Sequence, residues 1–520
     1  MKRREFIAFS MFGGMSLFMS SNIEPSDDFE LEEATIASLQ NAMASGKLSA
    51  VEITKAYISR IREIDTKLKS VVEVNPDALQ IAEQLDEERR SGRVRSALHG
   101  IPVLLKDNID TADKMKTTAG SLALLEASTP KQDAFLVQKL RQAGAIILGK
   151  TNLSEWANFR SDNSSSGWSA RGGQTRNPYI LDRNPCGSSS GSAVSVSANL
   201  CAVAIGTETD GSIVCPSSVN GIVGLKPTIG LISRSGIVPI AHSQDTAGPM
   251  TRSVADTAIL LTFLAGPDAN DNYTSLAKPQ DYTKFLKKDG LKGKRLGVAR
   301  QYFGRNELLD KLMEEQLQIL KANGAELIDV TFPGFGKFSD AEFEVLLYEF
   351  KHDINKYLSK RGGSYKTLAD LIKFNEENKD KEMPYFGQDI FLKAEAKGSL
   401  EDRAYNLALL QCKIMTQDRG INAVVQQHKI DAIVAPSNAP VWLIDLINGD
   451  SPSNYVASSS IPAVAGYPNI TVPAGFIKEL PIGISFFGPA FSEPTLIEIA
   501  YAFEQITKAR RKPKFLPTYP

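Results

Sequence analysis

Cysteine and histidine are scarce, with four of each in 520 residues. Cys186, Cys201, Cys215 and Cys412 lack the paired C-x-x-C spacing of a zinc site. An oxidising compartment would allow them three pairings, but so few thiols in so long a chain make no disulfide framework, and most of them read as small core residues. An excess of either charge is also missing. The 59 Lys and Arg against 60 Asp and Glu leave a formal net charge of −1, which points to no nucleic-acid or membrane-surface partner. Internal repeats and low-complexity tracts are absent. What remains is ordinary for a globular protein, at 42% hydrophobic and 23% charged residues. A chain this long buries roughly three quarters of its unfolded surface.

The N-terminus differs from the rest. MKRREFIAFSMFGGMSLFMSS opens on Lys2, Arg3 and Arg4, then runs apolar from Phe6 to about Met19. That is the charged and apolar pair of regions of an export signal, too short for a stable membrane span. Arg3-Arg4-Glu5-Phe6-Ile7 resembles the twin-arginine signal, whose pathway carries folded proteins across the bacterial inner membrane. An uncleaved anchor helix is the alternative, and no cysteine follows that would serve a lipoprotein anchor. The expectation is export to the periplasm on residues 1–23, with residues 24–520 folding as one unit without stable membrane association.

Strand and helix patterns alternate along that unit. Residues 31–95 read as helical, with Ile53, Tyr57, Ile61 and Ile64 on one face. IPVLL after Gly100 is a short buried strand, FLVQKLRQAG a helix stopped by glycine, and AIIL the strand that follows. SAVSVSANL is a small-residue helix and CAVAIGTET a strand. GKRLGVA, DAIVAP, NITVPAG and PIGISFFG read as later strands, residues 340–430 as mostly helical, and LIEIAYAFEQITK as a final helix. Such alternation predicts an α/β fold: a mixed central sheet with helices on both faces.

Two motifs mislead. GAIILGKT (144–151) satisfies the phosphate-loop pattern G-x-x-x-x-G-K-[ST], in which the residues between the glycines wrap phosphate with backbone N–H groups. Here those residues are themselves the strand, and Gly144 is the stop of the preceding helix. GSSSG (187–191) fits a flexible linker, a nucleophile elbow centred on Ser189, or a loop whose serine carries a proton. An elbow needs a buried strand running into the serine, and NPYILDRNPC reads as loop. A Ser-His-Asp triad would also have to draw on His242, His352 or His428, each of which reads as a structural or surface residue.

Three stretches fit one chemistry. GIPVLLKDNID places Lys106 at the end of an apolar strand. Alone it reads as a snorkelling surface lysine; held among Val103, Leu104 and Leu105 it would be desolvated, which favours the neutral amine, a competent general base. PCGSSSGSA carries Ser188. GTETDGSIVCPSS ends a strand in a glycine-containing turn that carries Ser212 and can aim successive N–H groups at one point.

Together these stretches resemble the amidase signature family. GIPVLLKDN places that family's lysine at Lys106, Cys186 to Ser192 overlies its glycine-serine segment with the bridging cis-serine at Ser188, and the nucleophile falls on Ser212, 24 positions later. TTAGS (117–121), GKTNLSEWANFRS (149–161) and GLKPT (224–228) match as well, so the motif core spans about 98–260. The resemblance implies a single amidase-signature domain with a relay from Ser212 through Ser188 to Lys106. It also implies an oxyanion site at the N–H groups of Thr209, Asp210 and Gly211, Ser189 beside the triad, and no metal or cofactor. Glycines of the family's commonest form are replaced at Cys186, Ser190 and Asp210, its Asp appears as Glu208, and its Arg as Val214. TETDGSI with PCGSSSGSA is similar to the bacterial peptide amidases, which implies removal of C-terminal peptide amides with release of ammonia. Aryl, aliphatic or cyclic amides stay open. So does the amide-cleaving component of the amidotransferase that makes glutaminyl-tRNA, which the export signal disfavours. A peptide-binding protein without catalysis is disfavoured by the filled triad. Residues 340–430 and the loop near SNAPVWLID are expected to shape the substrate pocket.

Overall fold

A computed structural model of the protein describes residues 31–452 and 454–519; the expected export signal at 1–23 lies outside them. In chain order the strands are β1 (Val71–Val74), β2 (Pro102–Lys106), β3 (Ile146–Thr151), β4 (Trp168–Ser169) and β5 (Gly173–Gln174), then β6 (Val203–Glu208), β7 (Val223–Lys226) and β8 (Thr246–Thr251). They continue as β9 (Arg295–Ala299), β10 (Glu326–Val330), β11 (Ala432–Pro436), β12 (Asn469–Ile477) and β13 (Leu480–Phe487). Eleven of them form one sheet among the described residues, ordered β1-β3-β2-β6-β8-β7-β12-β13-β11-β9-β10. β2 runs parallel to β3 and β6, and β9 parallel to β10 and β11, while the other neighbours are antiparallel.

The sheet is mixed, and helices flank it. Every residue of β2, β3, β6, β11 and β13 is buried. That is why these segments read as continuous apolar runs with no alternation: both faces are covered. One core runs the length of the sheet. A second gathers Trp156, Phe159, Phe350 and Phe391 under the helix Ser339–Arg361.

Three strands of the large sheet were not legible in the sequence. The helical region before Arg95 is three helices, Ile36–Ala44, Ala50–Leu68 and Ala78–Arg90, with β1 between the last two. Lys69 turns left-handed after Leu68 (φ 52°) and releases VVEV as an edge strand that is only half-buried. β7 and β8 carry glycine, proline and threonine in place of an apolar repeat, and their extended form is imposed by pairing between β6 and β12.

GAIILGKT takes the form its local pattern predicts. Gly144 (φ 86°) follows the helix Phe135–Gln142, and the chain then becomes β3. Lys150 points inward, donating to Ile109 O at 2.5 Å and Thr117 Oγ1 at 2.8 Å. All four cysteines are buried, and Cys201 and Cys412 are unpaired. Cys186 and Cys215 form a disulfide with their Cα atoms 6.0 Å apart. Their 29-residue separation carries no local signal; folding lays the loop of one against the helix of the other.

Candidate active site

β2 delivers Lys106 into the interior at its last residue, so the snorkelling alternative is overturned: the side chain is wholly buried. Its Nζ lies 2.7 Å from Ser188 Oγ, 2.9 Å from Thr207 Oγ1 and 3.2 Å from Thr207 O on neighbouring β6. Asn108 Nδ2 donates to the same Thr207 hydroxyl at 3.0 Å, fixing it from the other side. Burial pulls the Lys106 amine down to about 7, against the opposing pull of the Asp245 and Glu208 charges.

The serine loop is held by close backbone approach. The Gly187–Ser188 peptide is cis. Ser154 N donates to Ser188 O at 3.1 Å, and a Cβ at Gly187 would sit 2.2 Å from Ser154 Oγ. Ser189 is the tie between elements: its Oγ accepts from Thr207 N at 3.1 Å and donates to Thr207 O at 2.9 Å, while its N donates to Ser212 O at 3.2 Å. The helix Ser190–Ser197 then leaves behind the loop.

Ser212 stands in the turn that closes β6. Glu208 Oε2 accepts from Ile213 N at 2.6 Å and Val214 N at 2.9 Å, so the residue replacing the family's Asp fixes the chain just after Ser212 as it enters the helix Val214–Val219. Gly211 is left-handed, at φ 80°. Thr209 Oγ1 donates to Asp245 Oδ1 at 2.6 Å, and Asp245 Oδ2 accepts from Ile240 N and Ala241 N at 2.8 and 2.9 Å. The Asp210 carboxyl accepts from Ser459 Oγ at 2.8 Å and hydrogen bonds Glu342. Burial and the Asp210 charge hold Glu342 well above the usual carboxylate range. Among the described residues Ser212 Oγ makes no hydrogen bond, and neither do the N–H groups of Asp210 and Gly211.

Ser212 faces a cavity of about 440 Å³ whose wall also holds Asp210, Cys186, Cys215, Trp442, Asp450, Tyr455 and Ser459. Among the described residues no histidine lines it, which removes the Ser-His-Asp reading for this site. Of the two stretches expected to shape the pocket, the one around Trp442 lines it directly, and residues 340–430 reach it through Glu342 against Asp210. Ala157, Asn158 and Ser166 form a further part of the wall. Asp450 is held by Ser166 N, Asn184 Nδ2 and Trp442 Nε1 at 3.1, 2.9 and 3.1 Å. Thr207, adjacent to the turn motif, could have been found from its place in GTETDG; Asp450 and Tyr455 lie in a loop without local pattern.

A buried lysine, a serine in a cis peptide and a second serine at the mouth of a cavity define an amide-hydrolysing class, and the comparisons agree. The family model described as Amidase matches residues 52–497, so the chain belongs to the amidase family and is a serine amidohydrolase of the amidase-signature type. The native peptide amidase of Stenotrophomonas maltophilia, a solved structure, is 50% identical with a TM-score of 0.89, covering 93% of this chain and 99% of its own. A probable amidase of Arabidopsis thaliana is 43% identical over 516 residues, 96% of this chain and 95% of that one. A putative amidase of Schizosaccharomyces pombe is 38% identical over 530 residues, 95% of this chain and 89% of that one.

Proposed function

We propose that Lys106, Ser188 and Ser212 form the catalytic relay of an amidase that removes C-terminal amides from peptides. The observation that carries the relay is the 2.7 Å approach of a wholly buried Lys106 amine to Ser188 Oγ. The neutral amine takes the Ser188 proton, Ser188 takes that of Ser212, and Ser212 Oγ attacks the amide carbon. The tetrahedral oxyanion is met by N–H groups at Thr209, Asp210 and Gly211. The proton returns along the relay to the leaving nitrogen and ammonia departs. Water then gives a proton to the same relay and attacks the acyl carbon, the ester bond to Ser212 Oγ breaks, and the proton returns to Ser212 as the acid leaves.

Three observations support the substrate class. The chain is similar at 50% identity to a peptide amidase. Trp442 and Tyr455 offer apolar surface for a peptide's last side chains. Asp210 and Ser459 bring polar groups to the wall beside Ser212, where a primary amide would react. The leader-like residues 1–23 and the Cys186–Cys215 bond favour a periplasmic location over the cytoplasm in which a tRNA-dependent amidotransferase would work.

The test is ammonia release from peptide amides and from simple aryl and aliphatic amides, by the full chain and by Ser212→Ala. Release from peptide amides that vanishes in the variant is the expected result. Release confined to the simple amides discards the peptide assignment, and release that survives the substitution discards Ser212 as nucleophile.

A further inference from the structure

The disulfide closes on the reaction centre. Cys186 stands two residues before Ser188, and Cys215 three residues after Ser212, so the ring between them contains both serines, the helix Ser190–Ser197 and β6. Both half-cystines line the cavity that holds Ser212, and they are 6% and 4% exposed. A small reductant entering by the substrate's route would meet them.

The relay needs such a brace. Ser188 Oγ is tied to Lys106, but Ser212 Oγ has no hydrogen bond among the described residues, so nothing at the side-chain level sets the two hydroxyls facing each other. Their alignment rests on how the two backbones are joined. The non-covalent joints include Ser189 N to Ser212 O at 3.2 Å, the paired bonds of Ser189 Oγ with Thr207 N and O just before the turn, and, on the far side, Asn220 Nδ2 to Pro185 O at 2.8 Å. The disulfide lies between these joints. Cys186 occupies a left-handed backbone position (φ 55°) that glycine would adopt without steric cost, and the side chain it carries there is spent on the bridge.

We propose that the Cys186–Cys215 disulfide is a positioning clamp for the proton relay: intact, it holds the Ser188 loop and the Ser212 turn in register, and opened, it lets turnover fall while substrate binding persists. This rests on the assignment of Ser188 and Ser212 to the relay. Opening the bridge takes two electrons and two protons; dithiothreitol supplies both and is itself oxidised to its cyclic disulfide. Misplacement of a reacting group by about 1 Å costs on the order of 10²-fold in rate, which sets the scale of the effect.

The experiment uses the full chain with a peptide amide that it hydrolyses. Thiols are counted by alkylation before and after native treatment with dithiothreitol, and kcat, KM and the thermal midpoint are read in both states. Two alkylated thiols in the denatured untreated protein and four after treatment are expected. With them come a fall in kcat of about 10²-fold at unchanged KM and recovery on reoxidation. Cys201→Ala/Cys412→Ala should keep this sensitivity, and Cys186→Gly/Cys215→Ala should show the low kcat with no response to reductant. Four thiols at the outset, an opened bridge with unchanged kcat, or a lowered thermal midpoint with unchanged kcat would each overturn the clamp. If the relay assignment itself is wrong, Ser212→Ala will still release ammonia, whatever the state of the bridge.

Discussion

Lys106 can act as a base only in its neutral form, so the activity of the free enzyme should follow the titration of that one amine. With its pKa near the ordinary 10.5, about one molecule in 3,000 would carry neutral lysine at pH 7. Burial brings the value to about 7, which makes half of the molecules competent there. The sign follows directly: raising the pH deprotonates Lys106 and raises kcat/KM. The rate should reach a plateau above pH 8, fall to about a tenth of it at pH 6 and to about a hundredth at pH 5. The assay is initial-rate ammonia release at substrate well below KM in constant-ionic-strength buffers. Asp245 and Glu208 both stabilise the ammonium form, so Asp245→Asn, which keeps an acceptor for Thr209, should move the midpoint to lower pH. Lys106→Ala should cost about 10²–10⁴-fold in kcat. A flat profile between pH 5 and 8, or an upward move of the midpoint in Asp245→Asn, would refute the neutral-base argument.

Three further outcomes follow from the packing around the site. Ser189→Ala strips Thr207 N of its partner and loosens the residue that faces Lys106; it should cost about 1–3 kcal/mol in urea unfolding and lower kcat about tenfold. Gly191→Ala would set a Cβ 2.3 Å from Ser70 O and 2.5 Å from Asn152 O, both backbone atoms, so it should destabilise by about 3 kcal/mol or more and yield little soluble protein. Arg160 is wholly buried, 2.8 Å from Glu155, donates to Phe386 O and Gly387 O, and lies 4.3 Å from the Phe386 ring. Arg160→Met should therefore cost about 3–5 kcal/mol, read as a lower urea midpoint at an unchanged slope.

Legibility in the sequence divides along a physical line. Lys106, Ser188 and Ser212 sit in stretches whose residue types answer to local constraints: an apolar strand ending in lysine, glycines where backbones touch, a glycine turn after a strand. The buried strands β2, β3, β6, β11 and β13 were legible for the same reason, because burial on both faces leaves an unbroken apolar run. β7 and β8 were not, since their form is set by the strands beside them. Nor were the disulfide, the Asp245 brace and the Asp450 wall, each of which joins residues that meet only after folding. Lys106 shows the limit from the other side. Its type was readable, but its burial came from the elements that close over it.

The cavity draws its parts from distant stretches of chain. The proposed reacting groups lie between residues 106 and 212, whereas Trp442, Asp450, Tyr455 and Ser459 belong to a loop more than 200 positions later. The two meet at the Ser459–Asp210 hydrogen bond of 2.8 Å and where Asp450 accepts from Ser166 N and Asn184 Nδ2. Such an arrangement behaves like a tool with an exchangeable jaw. A graft within residues 440–460 that preserves Asp450 and Ser459 keeps the ties to the serine loop and to Asp210 and alters what the jaw grips. Substrate range should therefore be open to change at that loop while Lys106, Ser188 and Ser212 stay as they are.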